Sequence, residues 1–498
     1  MAWLKRRFQY IFGSTKGLIL FVSALIALET AFMGMLSGPM AEWGIRDFWI
    51  RLWGMKLEPA HREARIIFLY HTFAIGVIAL ETYMITGLVK MKEWHKAGIN
   101  AVMTVGYLMV LIFGLGFAYW GENWAFHGLF LFGLSLVFFA GMWLAYALWP
   151  WAKEYRLPEG SPYWRLPGGI DGERLAFFVM AVATLISAVY GAVPGSYFGN
   201  GFEVFLSEDM IRIPERSALE LAIVGHLHIM LVDIAVAAML IVFRWVDFKG
   251  RLHPWATFMT IIGTIIISVG AWMVVPFREI AHKVINVGAG FLMLASLLLT
   301  IYTWRKQIEV GLRKMGVQGK ATLGQRLKAL LMDPLPVGAT WQMMYMNVVV
   351  TAPGVFMAIK LDMLRDWLLR EERIGLVGHW HVLSAIIATI LLLYYADVVG
   401  LKGKIRTWYG WTMVVASDIA FAAATLFYTK RIYVTESQQQ PLVNAVMWTL
   451  DIALFLVLVI VAALFVWRLV DLFKPEGKWT EEWHDPTFKP IFTEEEAR

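Results

Sequence analysis

Long apolar runs constrain this chain more than any other feature. Twelve segments, about 16–38, 65–90, 97–119, 125–149, 173–193, 216–243, 255–277, 281–304, 339–361, 375–400, 408–429 and 443–470, each hold 18 or more largely apolar residues. Runs of that length match the hydrocarbon core of a bilayer, and a helix is the spanning form that satisfies every backbone group within the segment. A transmembrane β-barrel would show short alternating segments of about ten residues, and none is present. The fold class read here is an all-α membrane protein with twelve transmembrane helices.

Charge supports the same reading. Only 16% of the 498 residues are charged, against about 25% in an ordinary soluble chain, and they fall mostly between the apolar runs. The basic start MAWLKRRFQY leads into a long run without a small-residue cleavage site, so the first run is expected to be a retained helix. With the N-terminus inside, the loops KMKEWHK, RWVDFKGRLH and GLKGKIR and the stretch 305–328, with seven Lys/Arg and one acid, all face the cytoplasm. The expected location is a prokaryotic-type plasma membrane, multi-pass, with both termini cytoplasmic and the polar segment 471–498 as a C-terminal tail. The net charge of +6 is then a consequence of topology, and nucleic acid is not needed as a partner. Absence of cysteine excludes disulfides, thiolate metal sites and covalent c-type haem attachment.

Histidine spacing reveals a repeat. His226 and His379, and likewise His228 and His381, are 153 residues apart, while His71–His226 and His127–His282 are each separated by 155. Three units of four helices follow, about 16–149, 173–304 and 339–470. An even helix number makes them parallel repeats about an axis along the membrane normal, unlike the inverted repeats of many transporters. Seven of the 11 histidines thereby fall in one slab near the outer side of the membrane, and ionisable groups inside a membrane mark functional sites. The strings GHLHIML (Gly225–Leu231) and GHWHVLS (Gly378–Ser384) place two histidines two positions apart. On a helix such positions point about 200° apart, so His379 and His381 face different crevices. His127 and His282, near the boundary, are read as anchors. Glu29, Glu81 and Asp233 are carboxylates deep in their spans and are candidates for a proton path, with a neutral, hydrogen-bonded acid as the alternative.

These residues resemble the large subunit of the haem–copper oxygen and nitric oxide reductase family. Tyr70–Thr72 (YHT) is similar to the family's motif on its second helix, His379–Ser384 (HWHVLS) to that on its tenth, and Thr429–Tyr433 (TKRIY) to its basic pair for haem propionates. The resemblance implies three pseudo-threefold four-helix arcs and two non-covalent b- or a-type haems. His71 and His381 are the implied ligands of a low-spin haem, His379 a ligand of the second haem, and Lys430 and Arg431 the propionate partners. One departure is large. Where the family carries two adjacent histidines for copper or non-haem iron, this chain has TIIISVGAWMVVPF (Thr264–Phe277), which argues against a standard second metal. Rotation about the threefold axis brings His228 opposite His379, giving a second haem held on both faces; the remaining crevice offers Phe73 and His226, the latter a further candidate ligand.

The function so implied is a haem-bearing oxidoreductase subunit that carries electrons within a multisubunit respiratory complex. A cytochrome c-type or other electron-transfer subunit, or a quinol, would be the donor. A divergent terminal O₂ or NO reductase with a modified metal site is the alternative. From another class, a histidine-lined transporter without haem is the competing reading.

Overall fold

The computed structural model describes residues 2–37, 41, 43–57, 62–121, 123–205, 218–359, 369–430 and 433–492. It is 83% helical, with no strand among the described residues. Among the described residues, eleven helices are long and apolar enough to cross a membrane. In chain order the elements are α1 (Ala2–Gly13), α2 (Thr15–Ser37), α3 (Ile45–Trp53), α4 (Arg62–Leu88), α5 (Glu93–Trp120), α6 (Trp124–Ala147), α7 (Gly172–Phe205), α8 (Ala218–Trp245), α9 (His253–Trp272) and α10 (Arg278–Lys314). They continue with α11 (Leu323–Leu330), α12 (Pro334–Met346), a π-helical turn (Asn347–Thr351), α13 (Ala352–Ala358), α14 (Leu369–Val398), α15 (Gly403–Tyr428), α16 (Gln439–Phe473) and α17 (Lys478–His484).

The expected span over 339–361 is interrupted, which is why eleven long helices stand where twelve runs were read. Pro353 has no N–H to give the carbonyl of Val349 one turn earlier. The backbone widens into the π turn at Asn347–Thr351, with the Ala352 N–H reaching back to the Asn347 carbonyl. The Val349 carbonyl is satisfied from outside the helix, by Tyr428 Oη at 2.7 Å and Thr425 Oγ1 at 3.3 Å. Such π turns occur often at functional sites.

The chain divides into two compact units. The first comprises Met1–Leu148, Ala188–Ile223 and Phe465–Thr487, and the second Trp149–Ser187, Val224–Leu464 and Phe488–Arg498. Within each, helices meet where glycines remove the Cβ. In the first, a Cβ added at Gly106 of α5 would stand 3.0 Å from the Gly133 carbonyl of α6. In the second, a Cβ at Gly288 of α10 would be 2.6 Å from the Ile267 nitrogen of α9. Small residues replace the hydrophobic effect as the driver of helix contact in lipid, because they let backbones approach.

The polar tail is built into both units. In the first, the Arg468 guanidinium is fully buried and pairs with Glu482 at 2.7 Å, while Tyr10 Oη donates to the same carboxylate. Arg7 covers the Trp479 ring at 4.8 Å. In the second, Ile491 N donates to the Trp245 carbonyl at 2.8 Å. The tail read from sequence as a polar appendage is therefore partly core, held by α17.

Candidate functional site

The strongest constellation lies in the second unit, where α8 supplies His228 and α14 supplies His379. Their ring centroids are 6.2 Å apart and their planes differ by 31°. His379 is 6% exposed, and its Nδ1 has no hydrogen-bond partner among the described residues; the Val350 carbonyl of the π turn is the backbone group acting on its ring. One buried and one partly buried imidazole, tilted to each other and without a mutual hydrogen bond, stand at this separation. For one metal ion between them, with each metal–nitrogen bond at about 2 Å, the ring centres would stand about 6 Å apart. A pair of metals between the same two rings would need more room than 6.2 Å.

The walls of this gap explain its precision. Gly354 of α13 lies against His379, and a Cβ there would be 2.7 Å from the ring's Cε1. Gly378, next to His379, admits the Tyr428 ring, whose Cδ1 would be 2.5 Å from an added Cβ. Tyr428 in turn holds the Val349 carbonyl that Pro353 leaves free. Proline, π turn, tyrosine and two glycines thus fix the backbone on both sides of one imidazole.

Lys430, just past the end of α15, is 7% exposed. Its ammonium lies 4.7 Å over the Phe427 ring and donates to the Phe427 carbonyl at 3.4 Å. Among the described residues it has no carboxylate partner, and a buried cation without one is costly. A carboxylate from a bound group would complete it. Arg431, the other member of the expected basic pair, lies outside the described residues.

Three further histidines carry the signature of oriented ligands. Nδ1 of His71 is 2.8 Å from the Ile67 carbonyl, Nδ1 of His226 is 2.8 Å from the Ser187 carbonyl, and Nδ1 of His282 is 2.9 Å from the Arg278 carbonyl. Facing a carbonyl, a neutral ring donates, so the proton sits on Nδ1 and Nε2 keeps its lone pair. That is how metal-binding imidazoles are usually held. His127 instead lies among Phe68, Phe117 and Trp124, with centroids 5.8–6.1 Å away.

His381 is exposed where His379 is buried, as two positions about 200° apart require. His71 belongs to the first unit and His381 to the second; their pairing stays an implication of the family resemblance. Trp272 stands at the place of the missing histidine pair, its Nε1 donating to Ser187 Oγ at 3.3 Å. Among the described residues, Glu29 and Asp233 are buried with neither carboxyl oxygen hydrogen-bonded, and Glu81 has one such oxygen. Missed in the sequence were Gly354, Tyr428 and the π turn; the Thr-Ala-Pro-Gly string at 351–354 was the available signal.

Comparison with known proteins returned no matching family model, no matching curated protein and no matching solved structure.

Proposed function

We propose that the chain is a haem-binding membrane oxidoreductase subunit of haem–copper type, with twelve spans in three four-helix arcs. His228 and His379 would be the side chains that hold a haem iron, and Lys430 the cation that would meet a propionate. The observation that carries this reading is the 6.2 Å separation of two imidazoles, one of them almost fully buried. When bound, haem supplies reversible one-electron chemistry.

The residues of the chain do the rest. Both ligands are neutral imidazoles, and the second ring closes the face that a gas molecule would need, so the site suits electron transfer over O₂ or NO activation. Gly354 and the Val350 carbonyl set the plane of His379. The buried ammonium of Lys430 favours the ionised propionate through a charge-assisted contact. The resemblance to the haem–copper family adds His71 and His381 as ligands of the other haem. With no cysteine to hold copper or an iron–sulfur cluster, electrons come from a partner, a cytochrome c-type subunit or a quinol.

The test is the reduced-minus-oxidised optical spectrum of the purified protein, with and without CO, alongside iron and copper content. Haem iron without copper and without a CO shift is expected. His228→Gly then opens one face: the variant keeps its haem and acquires a CO-bound spectrum. A CO complex in the unaltered protein would overturn the two-faced ligation and return the terminal-reductase reading. A colourless, iron-free protein would leave the transporter.

A further inference from the structure

In the first unit a second polar system runs through otherwise apolar helices and involves no histidine ligand. Thr15 opens α2 and is partly exposed beside the exposed Gly13. Asn100 Nδ2 donates to Thr15 Oγ1 at 3.4 Å, and Thr86 Oγ1 donates to Asn100 Oδ1 at 2.9 Å. One turn deeper, the hydroxyls of Tyr83 and Thr104 are 2.7 Å apart. Next comes Tyr107, fully buried, three positions along α5 from Thr104, its hydroxyl without a hydrogen-bond partner among the described residues. Glu29 follows, 5% exposed, three positions along α2 from Ile26, which stands with the Tyr107 ring against Gly76; neither Glu29 oxygen has a hydrogen-bond partner among the described residues.

The register of the helices makes this a file and not a scatter. From Thr15 to Glu29 along α2, and from Thr86 back to Thr72 along α4, the separation is the same 14 positions. At 1.5 Å per residue, both cover about 21 Å, roughly two-thirds of a 30 Å hydrocarbon core. On α5 the contributors Asn100, Thr104 and Tyr107 recur at helical spacing on one face. Gly76 opens room for the Tyr107 ring, whose Cε2 would lie 3.1 Å from a Cβ there, and Gly114 does so for Thr72.

We infer that these side chains form a proton-exchange file between the Thr15 end of the first unit and the carboxyl of Glu29. An ionised carboxylate with no partner at this depth would carry a desolvation cost of several kcal/mol or more, so Glu29 holds its proton. Tyr83, Thr104 and Tyr107 can each accept one proton and pass on another, and waters bridge the steps between them. Asn100 relays nothing itself. Its amide holds Thr15 on one side and Thr86 on the other, aligning the mouth. For every proton that leaves Glu29 at the deep end, one enters from solvent at Thr15, and no charge remains inside. The file would serve whatever reaction draws protons from Glu29, and it stands without the haem reading.

Infrared spectroscopy of the full-length protein in lipid, transferred from H₂O to D₂O, tests it. The protonated carboxyl band lost in Glu29→Gln identifies Glu29. In the unaltered protein that band should shift as fast as solvent is exchanged. Tyr107→Phe and Asn100→Leu should each slow the shift by about tenfold or more, the equivalent of about 1.4 kcal/mol on the barrier. Should Asn100→Leu fail to fold, Tyr107→Phe, which keeps the ring, decides. Exchange at the unaltered rate in the variants would show the hydroxyls to be interhelical glue and overturn the file. So would a Glu29 band that never shifts, or its absence from the unaltered protein. None of these readouts depends on iron, so failure here is distinct from failure of the haem site.

Discussion

His253 and His379 are both buried in the second unit, yet they have been given opposite settings. His253 is fully enclosed, and each ring nitrogen is engaged: the Trp164 N–H donates to Nδ1 at 3.0 Å, and Nε2 lies 3.1 Å from Glu173 Oε2. Because Nδ1 accepts, Nε2 must carry the proton, which fixes the tautomer. Glu173 is then shared with Arg244 at 2.6 Å, and Asp171 meets the same guanidinium at 3.3 Å. His379 has the reverse: an Nδ1 without a partner, glycine on either side and another imidazole 6.2 Å away. A histidine that belongs to the scaffold closes its polar accounts within the protein. His379 keeps one ring nitrogen, Nδ1, unpartnered among the described residues in a rigid frame, where burial makes that costly.

That contrast can be broken by substitution. The largest effect should come from Glu173→Ala. Removing Glu173 takes the carboxylate from the enclosed His253 and leaves Arg244 with Asp171 alone, and should cost about 3 kcal/mol. Thermal unfolding in detergent should show a marked loss of stability, while the spectrum of protein that does fold stays unchanged. A spectral change as large as the stability change would mean that the two histidines are not separate systems.

Gly354→Ala should have an intermediate effect, located at the other histidine. Its new Cβ would press on Cε1 of His379, and overpacking of this kind costs about 1–3 kcal/mol. Turning one ligand plane should also change the electron paramagnetic resonance signal of a ferric haem there. A stability loss with no change in that signal would place His379 outside the coordination sphere.

The smallest effect is expected in the 149–171 loop. Tyr163 Oη donates to Asp247 at 2.5 Å, and Asp247 adopts a left-handed φ of 51°. Burial, and then the bond to Asp247 and its charge, push the Tyr163 pKa above its ordinary value. A group whose folded pKa is raised stabilises fully below its unfolded pKa, about 10 for tyrosine, and loses that contribution as pH climbs past it. Tyr163→Phe should cost about 1 kcal/mol at neutral pH and flatten the alkaline side of a stability–pH curve. An unchanged alkaline limb would assign that titration to other groups.

Much of this was legible before any coordinates. The apolar runs announced the helices, because lipid accepts no unsatisfied backbone. The near-equal spacings of His71, His226 and His379 (155 and 153 positions), with the 153 between His228 and His381, marked corresponding positions of a repeat. The two-residue offset between His379 and His381 sends the two side chains in different directions, and one is buried while the other is exposed. The file through Asn100, Thr104 and Tyr107 was also written in helical spacing. It escaped notice because hydroxyls on membrane helices ordinarily satisfy themselves on their own carbonyls, as Thr104 does on Asn100 at 2.6 Å. Spacing alone cannot separate a self-satisfied hydroxyl from one that also reaches a neighbouring helix.

What the sequence by itself determined is periodic and local: which segments are helical, and which way each histidine points from its own axis. Hydrophobicity and the 100° turn per residue suffice for that. Only the tertiary structure decided which open nitrogens meet. The 6.2 Å approach of His228 to His379 depends on Pro353 widening a turn, on Tyr428 capturing the freed Val349 carbonyl and on Gly354 and Gly378 yielding space. Apart from Gly378, which adjoins His379, those residues lie 25 to 49 positions from His379, and all of them lie 121 to 200 from His228; packing, which acts between segments distant in the chain, has no period to read.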